Sequence, residues 1–348
     1  MSKKPYLLIM AGGSGTRMWP LSTKKEPKQL LPLTGKLSLI EETLERCRQL
    51  TDKKRIFIGT GKGLQKAISR KVKYLKKKNF LIEPTARNTA PIIALFCAHI
   101  REQGDEKAPV IVLAADHHIH PVEGWLEAVK AAMAKADERI WCMGIKPSRP
   151  ETGDGYIETG NNIEDNLFEI KSFKEKPDLA LAQQYFTQNQ FFWNSGMFIF
   201  SSRLFWQELK NSQPEIAKLA TRCAKGKKAL AKNFGKMPDI SVDYAVMEKS
   251  DKLGVVCANF AWDDVGSFLA LERILPSDEA KNIKAGRGRF NRIDSEGNTI
   301  YLDKLKHASL LGVKDLIIAE KDGVLLIASK DKIEKIKDLR GDAPEKLL

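Results

Sequence analysis

The residues best placed to do chemistry are a glycine-rich turn, two cations behind it, and an aspartate that ends an apolar run. The turn, Ala11-Gly12-Gly13-Ser14-Gly15-Thr16-Arg17, closes the apolar stretch that begins at Tyr6. Its small residues let backbone N–H groups approach a phosphate closely, and Arg17 adds a planar cationic fork. Lys28, in the continuation RMWPLSTKKEPKQLLPL, offers a second cation within the same loop, which prolines at 20, 27 and 32 stiffen. Together they read as a cradle for a triphosphate. Three other glycine motifs do not fit. A dinucleotide-binding turn needs a third glycine where Met18 stands, and a nucleophile elbow around Ser14 needs one at Thr16. A Walker A reading of Gly61-Lys62 lacks the upstream glycine, replaced by Ile56, and the following Ser or Thr.

Asp116 follows Val110 to Ala115 directly. A carboxylate facing a triphosphate suits Mg²⁺, which takes one or two carboxylates and completes its shell with phosphate oxygens and water. The neighbouring His117, His118 and His120 invite a zinc or nickel reading. No second segment rich in cysteine or histidine accompanies them, so magnesium is preferred.

Such residues act only if a framework holds them together. Apolar β-rich runs recur at Tyr6 to Ala11, Arg55 to Gly59, Phe80 to Ile82, Val110 to Ala115 and Arg139 to Ile145. Helical patterns lie between them, as over Leu39 to Leu50 and Thr89 to Gln103. Strands alternating with helices predict an α/β fold with a Rossmann-like, doubly wound, mostly parallel sheet. Ligands in such sheets bind at the carboxyl ends of the strands, where the glycine turn and Asp116 fall. After Ile145 the pattern loosens into PSRPETGDGY, a strand-like FEIKSFKEKP, the aromatic run FFWNSGMFIF and helices carrying IAKLATRCAK and SVDYAVMEKS. From about Asn282 short strands alternate with turns, and DKIEKIKDLRG reads as a final amphipathic helix. The expected organisation is a catalytic domain over 1–278 and a small C-terminal β-rich domain over 279–348, with a β-helix as one candidate form.

The 348 residues, 43% hydrophobic, suffice for a large buried core. Five scattered cysteines with no C-x-x-C pair indicate neither a disulfide framework nor a zinc knuckle, and fit a reducing cytoplasm. No apolar run approaches the roughly 20 residues that cross a bilayer, so no membrane span or membrane partner is expected. The net charge of +14 raises nucleic-acid binding, and Lys66 to Lys78 is the densest basic segment. Its Ala67, Ile68, Val72 and Leu75 alternate with lysines at helical spacing, and no aromatic ladder accompanies them, so a solvated amphipathic helix is the preferred reading and no nucleic-acid partner is expected.

With its neighbours, the glycine turn resembles a known signature. G-G-x-G-T-R-x-W-P-L-S followed by P-K-Q is similar to that of the nucleotidyl-transferring sugar pyrophosphorylases, and the form with Trp19 is similar to their mannose-1-phosphate guanylyltransferase branch. Further motifs follow in order over roughly residues 6 to 275. Ala115-Asp116-His117 resembles Ser-Asp-His, and Trp262-Asp263-Asp264-Val265-Gly266 resembles W-x-D-V-G. This implies Asp116 and Asp264 as metal ligands, with Asp263 in a variable slot. Taken alone, the aspartate pair is a turn ahead of a helix near Ser267, and adjacent residues of an extended segment face opposite ways.

Phe173-Lys174-Glu175-Lys176-Pro177 resembles F-x-E-K-P, which implies that Lys176 meets the sugar phosphate and Glu175 the sugar hydroxyls. Trp193 to Phe198 resembles W-N-S-G-M-F, where Asn194 and Ser195 interrupt an apolar run and sugar hydrogen bonds would explain them. Glu151 to Ile157 is similar to E-T-G-x-G-Y-I, placing Gly155 near the sugar; Asp154 replaces a usual tyrosine. Glu83-Pro84 with Arg87-Asn88-Thr89-Ala90-Pro91 is similar to E-P-x-x-R-N-T-A-P, implying that Glu83, Asn88 and Thr89 lie by the nucleobase; Asn88 serves equally well as a helix N-cap. Gly12, Gly13, Gly15 and Thr16 complete the implied nucleotide site, with Arg17 and Lys28 as catalytic cations. Ser241 to Ala245 resembles a segment packed beside the sugar pocket.

The resemblance implies Mg²⁺-dependent transfer of GMP from GTP to mannose 1-phosphate, by direct in-line attack of the sugar phosphate on the α-phosphorus. The expected partners are those two substrates, with a homodimer as one assembly the sequence allows. The same chemistry on another nucleotide or sugar, or sugar-nucleotide binding without catalysis, are the alternatives. The chain ends soon after the β-region, so no appended isomerase domain is expected.

Overall fold

The computed structural model describes residues 4–13 and 15–344. Four strands, β1 (Tyr6–Met10), β2 (Ile56–Gly61), β3 (Phe80–Glu83) and β4 (Pro109–Ala114), run parallel in the order β3-β2-β1-β4. They read as unbroken apolar runs because both faces are covered. Leu8, Val110 and Val112 pack into one cluster with Ile93 and Phe96 of the helix Thr89–Glu102. Leu7, Ile9 and Ile111 face the other side, against Ile40 and Leu44 of the helix Leu39–Arg48 and Trp125 of the helix Val122–Ala134. Each such side chain, fully buried, contributes roughly 1.5–3 kcal/mol.

Beyond β4 the chain forms a short strand β5 (His118–His120), then β6 (Ile140–Ile145), β7 (Gly155–Glu164), β8 (Leu167–Lys174), β9 (Phe191–Ser201) and β10 (Leu253–Cys257). All but β5 join one nine-stranded sheet of order β3-β2-β1-β4-β9-β6-β10-β8-β7. The sheet is mixed: β6 and β10 are parallel, while β9 runs antiparallel to β4, β6 and β7, and β8 antiparallel to β7 and β10. A strand β11 (Ala261–Asp263) pairs with β5 apart from this sheet.

The basic segment is less helical than its spacing suggests. The helix runs only over Lys62–Lys71, and although Val72 and Leu75 are buried, Lys76 to Lys78 lie beyond its end. Among the described residues no helix is long and apolar enough to cross a membrane.

The C-terminal strands β12 (Ile283–Gly286), β13 (Arg289–Ile293), β14 (Thr299–Leu302), β15 (His307–Leu311), β16 (Leu316–Lys321) and β17 (Val324–Ser329) wind as a parallel coil. One face is β12-β14-β16, capped by the antiparallel β17, and the other is β13-β15. Asn298 donates to Asn282 at 2.9 Å, linking successive turns inside the coil. The coil packs on the loop that follows the glycine turn: Met18, Trp19, Leu21 and Leu31 share a core with Tyr301, Ile317 and Leu326. Lys321, 6% exposed, donates to the Leu21 carbonyl at 2.9 Å and to Glu26 at 2.6 Å.

Candidate active site

The ladder between β5 and β11 is what brings the two distant aspartates together. It sets Asp263 opposite His118 and Trp262 opposite Ile119, and the residues just beyond the last pair, Asp264 and His117, line one cavity, with His117 next to Asp116. Lys28 closes the arrangement. Its Nζ lies 2.8 Å from Asp116 Oδ2 and donates to the Asp264 backbone carbonyl at 2.8 Å. Burial works against the charge of Asp116, but Lys28 and His117 hold the carboxyl below its usual range.

Asp263 points elsewhere, as alternation along a strand requires. It accepts from Arg273 Nε at 2.5 Å and Nη2 at 3.0 Å, and from the Val265 N–H at 2.8 Å. Val265 has φ +48°, uncommon and strained for a β-branched residue. The Asp263–Arg273 pair thus holds the strained turn that aims Asp264, which lines the adjoining cavity. Asn88 and Lys176 also have positive φ, at 60° and 45°.

The glycine turn needs its third glycine for shape. Gly15 has φ +61°, and a Cβ there would meet Ser22 Oγ at 2.6 Å and Lys28 Cβ at 2.7 Å, so the turn folds back directly onto Lys28. Gly12 and Gly13 are exposed, with nothing within 4 Å of where a Cβ would stand, which leaves their backbone open to a ligand. Thr16 starts a short 3-10 turn, Thr16–Met18, that also carries the exposed Arg17. Ser14 lies outside the described residues.

Because β3, β2, β1 and β4 are parallel, their carboxyl ends share one edge. Glu83 ends β3, the glycine turn follows β1 and Asp116 follows β4. At about 4.8 Å per strand, Glu83 and Asp116 stand about 14 Å apart along that edge with the glycines between them. Burial pushes the Glu83 carboxyl up to about 7. Asn88 accepts from the Thr89 N–H at 3.0 Å as N-cap of its helix, and Thr89 Oγ1 accepts from Val242 N at 2.8 Å. That bond ties this segment to the one carrying Asp243.

The cavity next to Asp264 is lined by His117, Asp154, Gly155, Glu175, Lys176, Asn194, Ser195, Asp243 and Trp262. Asn194 owes its position to a bulge in β9. β6 advances two residues, from Cys142 to Gly144, while β9 advances four, from Asn194 to Phe198, through Gly196 at φ +68°. Ser195 Oγ donates to the Met143 carbonyl at 2.7 Å inside this bulge. Its hydroxyl is therefore spent on backbone, whereas the neighbouring Asn194 turns its amide to the cavity and donates to Asp243 Oδ1 at 3.0 Å. On the other side Gly155 pairs with Asn194, and a Cβ on it would stand 2.5 Å from Glu175 Oε2. Lys176 bridges to Glu175 at 3.0 Å, its own side chain largely exposed.

Two carboxylates here were not assigned roles from sequence. Asp243 is raised to about 6, first by burial and then by Glu175, and Asp154 to about 7, first by burial and then by the charge of Asp264. The S-V-D-Y-A motif and the departure from tyrosine at 154 were the available signals, but neither specified a direction. Lys321 left no signal at all, since nothing local distinguishes it from a surface lysine.

Among the described residues no group of three or more His, Cys, Asp or Glu is close enough to hold a metal unaided. His118 instead lies 3.7 Å from Glu42, and His120 is exposed. Asp116 and the Asp264 carbonyl already share one cation, the Lys28 ammonium, and both atoms it touches there are oxygens. Such a set fits a hard cation that brings phosphate oxygens with it.

The model of the nucleotidyl transferase family matches residues 6–281. A mannose-1-phosphate guanylyltransferase from Salmonella muenchen is 35% identical over 95% of this chain and 71% of its own length, and one from Escherichia coli is 31% identical over 97% and 75%. Among solved structures, one from Thermus thermophilus, described as a mannose-1-phosphate geranyltransferase, superposes with a TM-score of 0.89 at 34% identity, covering 98% of this chain and 100% of that one. On this footing the chain belongs to the nucleotidyl transferase family, among relatives named mannose-1-phosphate guanylyltransferases.

Proposed function

We propose that the chain transfers GMP from GTP to mannose 1-phosphate, giving GDP-mannose and pyrophosphate, with Mg²⁺ as cofactor. The observation that carries this reading is the layout of one sheet edge: half-buried Glu83, the open glycines, Asp116 with Lys28, and then the cavity of Glu175, Asn194 and Asp243. The order suits a base, a triphosphate, a metal and a sugar phosphate laid across it in turn. The sugar phosphate is already an anionic nucleophile, so no covalent enzyme intermediate is needed and the protein's work is to position two substrates and neutralise charge. Gly12, Gly13, Gly15 and Thr16 cradle the phosphates through backbone N–H groups. Arg17 and Lys28 hold the triphosphate. Lys176 orients the attacking phosphate, and Glu175, Asn194 and Gly155 form the sugar subsite. Asp116 and Asp264 would hold the magnesium ion, which when bound would supply charge neutralisation at the phosphates.

We further read residues 1–278 as the catalytic domain and 279–348 as a buttress for the loop carrying Lys28, in a cytoplasmic enzyme with a homodimer as the proposed assembly. A second reading, the same transfer to a different sugar 1-phosphate, is favoured by Asp154, which adds a carboxylate to the cavity where the branch has tyrosine. Measuring kcat/KM for GTP, ATP and UTP against mannose 1-phosphate and glucose 1-phosphate separates the two. Preference for GTP with mannose 1-phosphate supports the first, another favoured pair the second, and silence throughout would overturn both.

A further inference from the structure

We propose that Lys28 is an internal stand-in for the metal: in the nucleotide-free chain its ammonium occupies the cation position between Asp116 and Asp264, and a divalent ion binds Asp116 only when Lys28 leaves. The inference rests on the metal role proposed for these two aspartates. Lys28 is 8% exposed, so its charge is held inside the site and not spread into solvent. Its Nζ lies 2.8 Å from the Asp116 carboxylate and 2.8 Å from the Asp264 backbone carbonyl, while the Asp264 carboxylate accepts from the Gly266 N–H at 3.0 Å. The position is enforced from behind by Gly15, whose close approach to Lys28 Cβ fixes the start of the side chain. Its backbone is held within the loop buttressed by Lys321 and the C-terminal coil.

One carboxylate cannot serve an ammonium and a divalent ion together without two cations in near contact, so the two compete. A triphosphate offers Lys28 another anion and offers the metal the oxygens that Asp116 and Asp264 lack. Nucleotide arrival therefore moves Lys28 onto phosphate and frees Asp116 in the same event. Metal and nucleotide binding are coupled through this side chain, and by linkage each tightens the other. Without nucleotide the site stays neutralised and resists loading by stray divalent ions.

The test is Mn²⁺ binding in the absence of nucleotide, read by electron paramagnetic resonance of free Mn²⁺. Lys28→Met should bind Mn²⁺ more tightly than the wild type by about 5- to 150-fold, the usual range for coupled sites, although it loses a group proposed to serve turnover. Lys176→Met removes a cation that does not touch Asp116 and should leave the affinity within about twofold; an equal gain there would mean a general field effect and overturn the inference. No gain in Lys28→Met would also overturn it. The double variant Lys28→Met with Asp264→Asn separates the two ideas: if it keeps the tightened binding, the metal role of Asp264 fails, whereas loss of binding there supports both. Should Lys28→Met fail to fold, the wild type decides by mass spectrometry of lysine acetylation. Saturating Mn²⁺ should speed labelling of Lys28, and an unchanged rate refutes displacement.

Discussion

Replacing Gly155 with alanine places a methyl group where none fits. A Cβ at that position would stand 2.5 Å from Glu175 Oε2 and 3.5 Å from both Asn194 Cβ and the Lys174 carbonyl. Restoring ordinary contact requires the carboxylate to retreat by about 1 Å. Its side chain is 9% exposed and bridged to Lys176 at 3.0 Å, so it has little room in which to do so. The backbone of Gly155 needs no left-handed conformation, and alanine there even restricts the unfolded chain, worth about 0.4–1 kcal/mol in favour of folding. The damage is therefore local. Displacing a charged acceptor from a sugar hydroxyl costs about 1.5–3 kcal/mol, or about 10- to 160-fold in kcat/KM for the sugar phosphate. Steady-state kinetics with mannose 1-phosphate varied at saturating GTP reads this directly, and KM for GTP should stay within about twofold. Unchanged kcat/KM for the sugar phosphate in a folded Gly155→Ala enzyme would refute the placement of Glu175 against the sugar.

Asp264→Asn should lower kcat by about 10²- to 10⁴-fold while thermal unfolding stays near that of the wild type, and near-normal turnover removes Asp264 from the metal site. Asp154, raised to about 7, binds its proton more tightly folded than unfolded, so its contribution to stability is full below the ordinary aspartate range and is lost as pH rises through 7. Metal-free Asp154→Asn should thus gain on the wild type between pH 4 and pH 8 by on the order of 1–2 kcal/mol, measured by denaturant unfolding; a pH-independent difference contradicts it. If Glu83, also raised to about 7, accepts from base N–H groups as proposed, it does so ionised only above that pH, so kcat/KM for GTP should fall up to about tenfold per unit below it and Glu83→Gln should abolish the slope. Lys321→Met leaves the buried Leu21 carbonyl without its donor and should cost about 1–3 kcal/mol in unfolding free energy, with KM for GTP rising more than KM for the sugar phosphate.

The parallel strands were legible because burial on both faces leaves an unbroken apolar signature, seen in YLLIM and in PVIVLA. The opposite facing of Asp263 and Asp264 was legible from strand alternation alone. The antiparallel entry of β9 between β4 and β6 was not, because periodicity records how a strand is covered and carries nothing about its neighbours' direction. Nor was the bulge at Asn194 to Met197: polar residues in an apolar run signalled an exception, but only the pairing with β6 separates Asn194, which faces the cavity, from Ser195, which serves the Met143 carbonyl. Lys28 was expected from its loop to be a catalytic cation, while its contact with the Asp264 carbonyl depends on a fold-back across most of the domain and carries no local signal. Lys321 meets Leu21 across nearly the whole chain, a contact that no local pattern encodes.

The most direct measurement follows oxygen from mannose 1-phosphate labelled with ¹⁸O in its non-bridging phosphate positions, incubated with the purified chain, GTP and Mg²⁺, with products resolved by mass spectrometry. Attack of the sugar phosphate on the α-phosphorus of GTP predicts that GDP-mannose carries all of the label and pyrophosphate none. Label in pyrophosphate or in free phosphate, or no GDP-mannose at all, would contradict the account.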